Sequence, residues 1–160
     1  MTDRQEALTD VRTPELPDRD CPLCPRLAAF RATQRAAHPE DGLALHRARI
    51  TNAVRCVPPQ NRPEPAEIEA CGRFLVGEFA RLPRLKAILA LGAIAHNAVL
   101  AAKGLRRARY PFAHGAVHEL PDRTVLADSY HCSRLNTNTG RLTLAMFEAV
   151  IGGLAERLPQ

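Results

Sequence analysis

The chain has 160 residues, 46% of them hydrophobic, which fits a globular domain with a modest core and excludes a disordered chain. Its 22 basic and 17 acidic residues give a formal net charge of +5, and all but two of the basic residues are arginine. Because arginine binds phosphate oxygens in pairs, this charge suits a nucleic-acid partner. No segment is apolar for long enough to cross a membrane, and the first residues do not have the pattern of a secretory signal.

The predicted elements of the first half follow a polar leader at residues 1–20. A short amphipathic helix is expected at 25–37 and a strand at 48–54. A proline-rich connector then leads to a helix that should begin near Pro65 and end before Pro83. We expect residues 21–160 to form one domain.

The second half of the chain alternates apolar runs of strand type and helix type. They predict strands at 85–92, within 111–121 and at 124–131, and helices at 93–104 and from a cap at Asn138 or Thr139. This alternation predicts an α/β fold in three α-β-α layers with a mainly parallel central sheet. In such folds, functional side chains lie at the carboxyl ends of the strands.

Four of the five cysteines are grouped as a close pair, Cys21 and Cys24, followed by Cys56 and Cys71. Four soft thiolates in this pattern indicate one metal centre, either a zinc ion or an iron–sulfur cluster. Disulfides are not expected, because nothing in the sequence indicates an oxidising compartment. Cys132 lacks a close partner in the sequence and is expected to be a free thiol.

Two polar side chains stand where a predicted strand gives way to a loop. The amide of Asn52 offers one donor and one acceptor in a plane, which matches the edge of a nucleobase. His131 can donate a hydrogen bond to developing negative charge. Taken singly, Asn52 suits a local turn and His131 a helix cap equally well.

Six sequence motifs resemble those of the iron–sulfur uracil-DNA glycosylases, most closely the type b, or family 5, branch. They are CPLCPRL, ITNAVRCVPPQNRP, EIEACGRFL, ILALGAIAH, FAHG and YHCSRLNTNTGRLT, in this order across residues 20–158. The resemblance implies a uracil-DNA glycosylase-like fold and a [4Fe–4S] cluster bound by Cys21, Cys24, Cys56 and Cys71. It also implies hydrolytic removal of uracil, and of other deaminated bases such as hypoxanthine, from DNA.

The resemblance also assigns roles to individual side chains. Asn52 matches the family asparagine that reads the flipped base, and His131 matches the histidine that stabilises the negative charge of the leaving base. The loop after His131 should approach DNA, with Arg134, Asn136 and Arg141 as contacts. A solvated surface loop is the alternative for both arginines. The resemblance further implies a monomer, without a membrane partner, in a prokaryotic cytoplasm near the nucleoid.

One family feature is absent from the sequence. The family carries its first motif, which begins with a Gly-x-Ala-Pro-Gly turn, between the cysteine pair and the segment ITNAVRC, whereas this chain is shortened near residues 38–40. We therefore expect the first strand of the sheet to be missing. Two alternatives follow: an inactive family member that binds a cluster and DNA, and a zinc-bearing module that binds nucleic acid.

Overall fold

The computed structural model describes residues 21–31 and 47–158. The predicted leader, the later part of the helix expected at 25–37 and the shortened region near 38–40 lie outside the described residues. The chain divides into two compact units, 1–81 and 82–160. Each unit is described by itself, and the single domain expected over 21–160 stays a prediction.

The described residues of the first unit form the helices α1 (Pro25–Arg31) and α2 (Pro65–Ala80), with a 3-10 turn at Pro59–Asn61. The prediction of α2 is confirmed at both ends. Pro65 begins the helix, where a missing N–H is of no consequence. The apolar side chains Cys71, Phe74 and Leu75 follow the spacing of one helical face, and all three are buried.

The prediction of a strand at 48–54 is wrong. These residues form bends and extended backbone, and no strand in the described part of the chain pairs with them. A strand needs hydrogen bonds to a neighbour, and alternating side chains alone do not supply one. Ile50, the apolar side chain in the middle of this stretch, is 69% exposed.

The second unit contains the sheet. Its elements are β1 (Ala87–Leu91), α3 (Ala93–Ala102), a 3-10 turn (Arg107–Arg109), β2 (Val117–Glu119), β3 (Val125–Ser129), α4 (Arg134–Asn138) and α5 (Leu144–Ala155). The predictions of β1, α3, β2 and β3 are confirmed. Apolar runs gave the right answer here because these strands are covered by helices: α3 packs on β1, and α5 packs on β3.

The strand order is β1-β3-β2. β1 and β3 are parallel over five residue pairs, from Ala87 opposite Val125 to Leu91 opposite Ser129. β2 is antiparallel to β3 over three pairs. The fold class is therefore α/β as predicted, with a mixed sheet of three strands in the described residues. The arrangement of the helices in two outer layers stays a prediction.

The start of the last helix differs from the prediction. α5 is capped by Thr143, whose hydroxyl accepts a hydrogen bond from the N–H of Met146 at 3.2 Å. Asn138 instead ends the separate helix α4, and Thr139 follows it. Gly140, at φ +70°, then redirects the backbone, which a continuous helix would not allow.

The core of the second unit lies around β3 and α3, where Leu100, Leu126 and Ala127 are fully buried. In the part of the chain that the structure describes, no helix is long and apolar enough to cross a membrane.

Replacing Leu126 by alanine should lower the free energy of unfolding by about 2–5 kcal/mol, because the substitution leaves a cavity in a fully buried site. Leu144→Ala is the control, since that side chain is 71% exposed. Urea denaturation followed by circular dichroism measures both. Equal losses in the two variants would contradict the position assigned to β3.

Candidate active site

The carboxyl ends of β1 and β3 meet. Their last residues, Leu91 and Ser129, are partners in the parallel register, and the N–H of Gly92 donates to the carbonyl of Ser129 at 2.8 Å. This pairing fixes the point at which the chain leaves β3. Tyr130 and His131 follow directly, so His131 stands at the edge of the sheet where parallel folds place functional groups.

His131 lies against Gly92. A Cβ atom built on Gly92 would stand 3.2 Å from the Cβ of His131, which is closer than ordinary packing. Gly92 also has φ +94° and ψ 162°, a conformation that is essentially restricted to glycine. The glycine at the end of the apolar strand run thus makes room for His131, which is itself exposed.

The backbone after His131 is held by local hydrogen bonds. The side-chain amide of Asn136 donates to the His131 carbonyl at 2.8 Å, and the Ser133 hydroxyl accepts from the N–H of Asn136 at 3.4 Å. Asn136, predicted as a DNA contact, therefore supports the backbone of His131. Arg134 is exposed at the start of α4.

Tyr130 connects the backbone before His131 to two other side chains. Its N–H donates to Nδ1 of His114 at 3.2 Å, and the two rings are stacked with centroids 4.8 Å apart. The guanidinium of Arg141, another predicted DNA contact, lies 4.8 Å from the centre of the Tyr130 ring. Because a backbone N–H can only donate, Nδ1 of His114 is the acceptor and its proton is on Nε2.

Asn52 belongs to the first unit and is exposed, in a stretch without helix or strand. The arginines before and after it are anchored to α2. Arg49 Nε lies 2.6 Å from one carboxylate oxygen of Glu78, and Arg55 Nη2 lies 2.6 Å from the other. The Glu78 side chain is 4% exposed. Asn52 is thus presented on a segment that is fixed at its two ends.

The four grouped cysteines also belong to the first unit, with Cys71 buried and the other three half-buried. Burial raises the pKa of the Cys24 thiol, and the nearby Cys71, Glu67, Cys21 and Cys56 raise it further. Each of the other predicted ligands is therefore close enough to Cys24 to act on it electrostatically. The structure brings the predicted ligand set together around one cysteine.

A second buried carboxylate lies beside these cysteines. Glu67 accepts from Arg26 Nε at 2.8 Å and from Arg26 Nη2 at 2.6 Å, and its second oxygen also accepts from the N–H of Glu64 at 2.7 Å. The hydrogen bond from Arg26 lowers the pKa of Glu67. This paired contact ties α1, which follows Cys24, to α2, which carries Cys71.

The second unit contains a buried cluster of His96, His118 and Asp128, whose candidate ligand atoms lie within 4.8 Å of one another. His96 Nδ1 is 2.7 Å from Asp128, and Nε2 is 2.9 Å from the Tyr110 carbonyl. The first distance is that of a hydrogen bond and is shorter than the roughly 3.3 Å between two tetrahedral ligands bound at about 2.0 Å. The two side chains are therefore joined by a hydrogen bond, which holds α3 on β3.

The sequence profile of a protein family, the Uracil DNA glycosylase superfamily, matches residues 23–155, which is most of the chain. The chain belongs to this superfamily. It is 49% identical over 113 residues to a type-5 uracil-DNA glycosylase of Thermus thermophilus, covering 71% of this chain and 52% of the relative. Type-5 uracil-DNA glycosylases of Mycobacterium leprae and Pyrobaculum aerophilum are each 41% identical over 112 residues. These matches cover 69% and 70% of this chain, and 49% and 48% of the relatives.

The family assignment confirms the membership of the uracil DNA glycosylase superfamily, and the α/β fold, that the sequence motifs indicated. The chain spans about half the length of the curated relatives it matches. This partial coverage fits the absence of the first motif from the sequence.

Sequence reasoning missed three residues that shape the site in this glycosylase family member. Glu67 and Glu78 are acidic residues on an otherwise amphipathic helix, and nothing in the sequence identified their distant arginine partners. Gly92 was visible only as the end of an apolar run. Its contact with His131 depends on the parallel pairing of β1 with β3.

Gly92→Ala should lower the free energy of unfolding by about 1–3 kcal/mol, because the new Cβ meets His131 and the backbone conformation disfavours other residues. Gly152→Ala is the matched control. It lies in α5 with open space around its Cβ position and should stabilise the protein by roughly 0.5–1 kcal/mol. Chemical denaturation distinguishes the two, and a Gly92 variant as stable as wild type would disprove the close approach.

Glu78 should also make stability depend on pH. Burial raises its pKa, but hydrogen bonds and charges from Arg55 and Arg49 outweigh burial and hold the pKa below its usual range. The stabilisation is therefore present above the ordinary glutamate value of about 4.3 and is lost as pH falls through the lower pKa of the folded protein.

We expect Glu78→Gln to cost about 3 kcal/mol near pH 7 and progressively less below about pH 4, because it leaves two arginines without their partner charge. Glu69→Gln, an exposed change on the same helix, should cost little at any pH. Denaturation of the three proteins from pH 3 to 7 measures the difference. A cost independent of pH would show that the charge of Glu78 is not what holds the arginines.

Proposed function

We propose that this chain binds uracil-containing DNA and hydrolyses the bond between uracil and its deoxyribose. The observation that carries the proposal is the placement of His131 at the carboxyl ends of the parallel strands β1 and β3, in a chain of the uracil DNA glycosylase superfamily. Curated relatives with 41–49% identity are named type-5 uracil-DNA glycosylases. A base inside a duplex must first be flipped out, so the chain must bind an opened strand.

Asn52 reads the flipped base in this proposal. Its amide pairs with a carbonyl oxygen and an adjacent N–H of uracil, whereas cytosine presents the reverse pattern. The exposed position of Asn52, between two anchored arginines, leaves the amide accessible to a nucleotide. Other deaminated bases with the same pair of groups, such as hypoxanthine, are accepted on the same ground.

His131 stabilises the leaving base. As the bond from the sugar to the base nitrogen breaks, the base departs with the electron pair and the sugar becomes oxocarbenium-like. The imidazole donates a hydrogen bond to the developing anion. Water supplies the hydroxyl that the sugar gains, and the proton that this water loses balances the negative charge of the departed base. Gly92, Tyr130 and Asn136 restrict the backbone on either side of the ring, so that it does not need to reorganise.

Phosphate contacts come from the same loop. Arg134 is exposed and within three residues of His131, and Arg141 is held over Tyr130. Planar guanidinium groups contact phosphate oxygens without reading sequence. Asn136 stays a proposed DNA contact, and its amide also donates to the His131 carbonyl.

We also propose that Cys21, Cys24, Cys56 and Cys71 bind a [4Fe–4S] cluster. Burial and then the other three cysteines raise the pKa of Cys24, which places these four soft ligands near one another in the first unit. Four thiolates can bind either one zinc ion or a [4Fe–4S] cluster, and the resemblance of the sequence motifs to the iron–sulfur uracil-DNA glycosylases favours the cluster. The cluster would supply a structural cross-link within the first unit.

Single-turnover release of uracil from single- and double-stranded DNA tests the glycosylase. Asn52→Ala and His131→Ala should each reduce the rate by about 100-fold or more, the scale of a lost transition-state hydrogen bond. Arg107→Ala, an exposed arginine in the 3-10 turn of the second unit, is the control and should leave the rate unchanged. Unchanged rates in both site variants would refute the assignment.

Metal analysis tests the cluster. Anaerobically purified protein should contain about four iron and four sulfide per chain with visible absorption of a cluster, and Cys56→Ser should lose both. Cys132→Ser is the control, because that thiol is exposed and outside the group. Stoichiometric zinc without sulfide would instead establish the zinc-bearing module.

The absence of the first motif favours a second candidate function, which is binding of damaged DNA without base release. In the family this motif positions the attacking water, and none of it occurs in this sequence. A folded, iron-loaded protein that binds uracil-containing DNA but releases no base would establish this function in place of the glycosylase.

A further inference from the structure

One buried carboxylate, that of Glu78, binds the segment that carries Asn52 on both sides of this residue. Arg49 and Arg55 lie three residues to either side of Asn52. Both guanidinium groups donate to Glu78 Oε1, Arg49 at 2.9 Å and Arg55 at 2.6 Å, and Arg49 Nε also contacts Oε2 at 2.6 Å. One side chain of α2 therefore binds the segment on both sides of Asn52.

In the described part of the chain, no regular secondary structure fixes the path of this segment. Residues 48–52 are exposed, and the stretch from 48 to 54 has neither helix nor strand. Its largest apolar side chain, Ile50, is 69% exposed. The contacts to Glu78 are thus the principal described anchors between the Asn52 segment and a regular element of the first unit.

The chemistry of Glu78 suits an anchor. A carboxylate that is 3% exposed is costly to bury unless charged donors surround it, and two guanidinium groups here provide these donors. Breaking the contact of either Arg49 or Arg55 with Glu78 leaves buried charge only partly compensated. The arrangement therefore favours a single conformation of the segment over a range of conformations.

We propose that Glu78 is a positioning residue for Asn52, holding its amide at the orientation needed to recognise the flipped base. The inference rests on the proposed function, because base reading by Asn52 is part of that function. A misplacement of about 1 Å in a recognition group can cost about 100-fold in rate. Loss of Glu78 should therefore affect base release although Glu78 touches no substrate.

A double-mutant cycle on single-turnover uracil release tests this coupling. Glu78→Gln should reduce the rate about 10- to 100-fold in the wild-type background, but less than about twofold further in the Asn52→Ala background. Glu69→Gln, exposed on the same helix, should leave the rate unchanged in both. Equal losses from Glu78→Gln in the two backgrounds would overturn the proposal, because the effect would then not pass through Asn52.

Folding is controlled in two ways. Each protein is assayed at a temperature where circular dichroism shows it folded, and Arg49→Met provides a milder variant that removes one arm from a half-exposed position. Arg49→Met should give the same pattern of coupling with a smaller loss of rate. A loss of the same size with and without Asn52 would again overturn the proposal.

Hydrogen exchange of the DNA-free protein gives a readout that does not need activity. Glu78→Gln should speed exchange of the backbone amides of residues 50–54 at least tenfold, and Glu69→Gln should not. If the wild-type chain releases no uracil, the proposed function fails while exchange still tests whether Glu78 holds the segment. Unchanged exchange in Glu78→Gln would overturn the positioning role whatever the activity.

Discussion

The first unit depends on two carboxylates buried on one helix. Glu67 and Glu78 stand on α2, where their burial would be unfavourable without charged donors. Arg26 forms an ion pair with Glu67, and Arg49 and Arg55 form ion pairs with Glu78. Each arginine lies on a segment that is distant from α2 in the sequence. Because Arg26 follows the cysteine pair and Arg55 precedes Cys56, the same ion pairs that neutralise α2 gather the grouped thiols and the Asn52 segment around it. Charge pairing therefore does in this unit what apolar packing does in a larger core.

The second unit is organised differently, by strand pairing. The parallel register of β1 and β3 ends with Leu91 opposite Ser129, so the chain turns at Gly92 and at Tyr130 in the same place. The hydrogen bond from the Tyr130 N–H to His114 and the hydrogen bond from Asn136 to the His131 carbonyl then fix the backbone on either side of His131. A hydrogen bond between His96 and Asp128 holds α3 on β3. Every one of these partners is local to the carboxyl edge. A polar group there can be oriented without being buried, as the role proposed for His131 requires.

The sequence predicted the features that depend on neighbouring residues and missed those that depend on contacts between distant residues. β1, β3, α2 and α3 were predictable because burial on several sides produces apolar runs and helical spacing that are visible locally. The prediction of a strand at 48–54 failed because the residues of a segment do not by themselves specify a strand for it to pair with. The prediction of where α5 starts failed because Thr139 and Thr143 are residues of the same type and are equally suited to cap a helix. Only the turn at Gly140 separates α4 from α5. Motif recognition supplied Asn52 and His131, but neither periodicity nor motifs indicated that Glu78 would accept from both arginines around Asn52.

The missing first motif bears on the two halves of the reaction unequally. Departure of the base generates negative charge on the base and positive charge on the sugar, and stabilising that separation is the role proposed for His131. Attack by water follows on a sugar that is already electrophilic, so it needs access and orientation more than it needs activation of the nucleophile. Under the proposed roles of Asn52 and His131, a chain without the family loop that positions water would still keep the groups that act on bond cleavage. The shortened site should therefore be limited by the fate of the separated sugar and base, which recombine unless water reaches the sugar first.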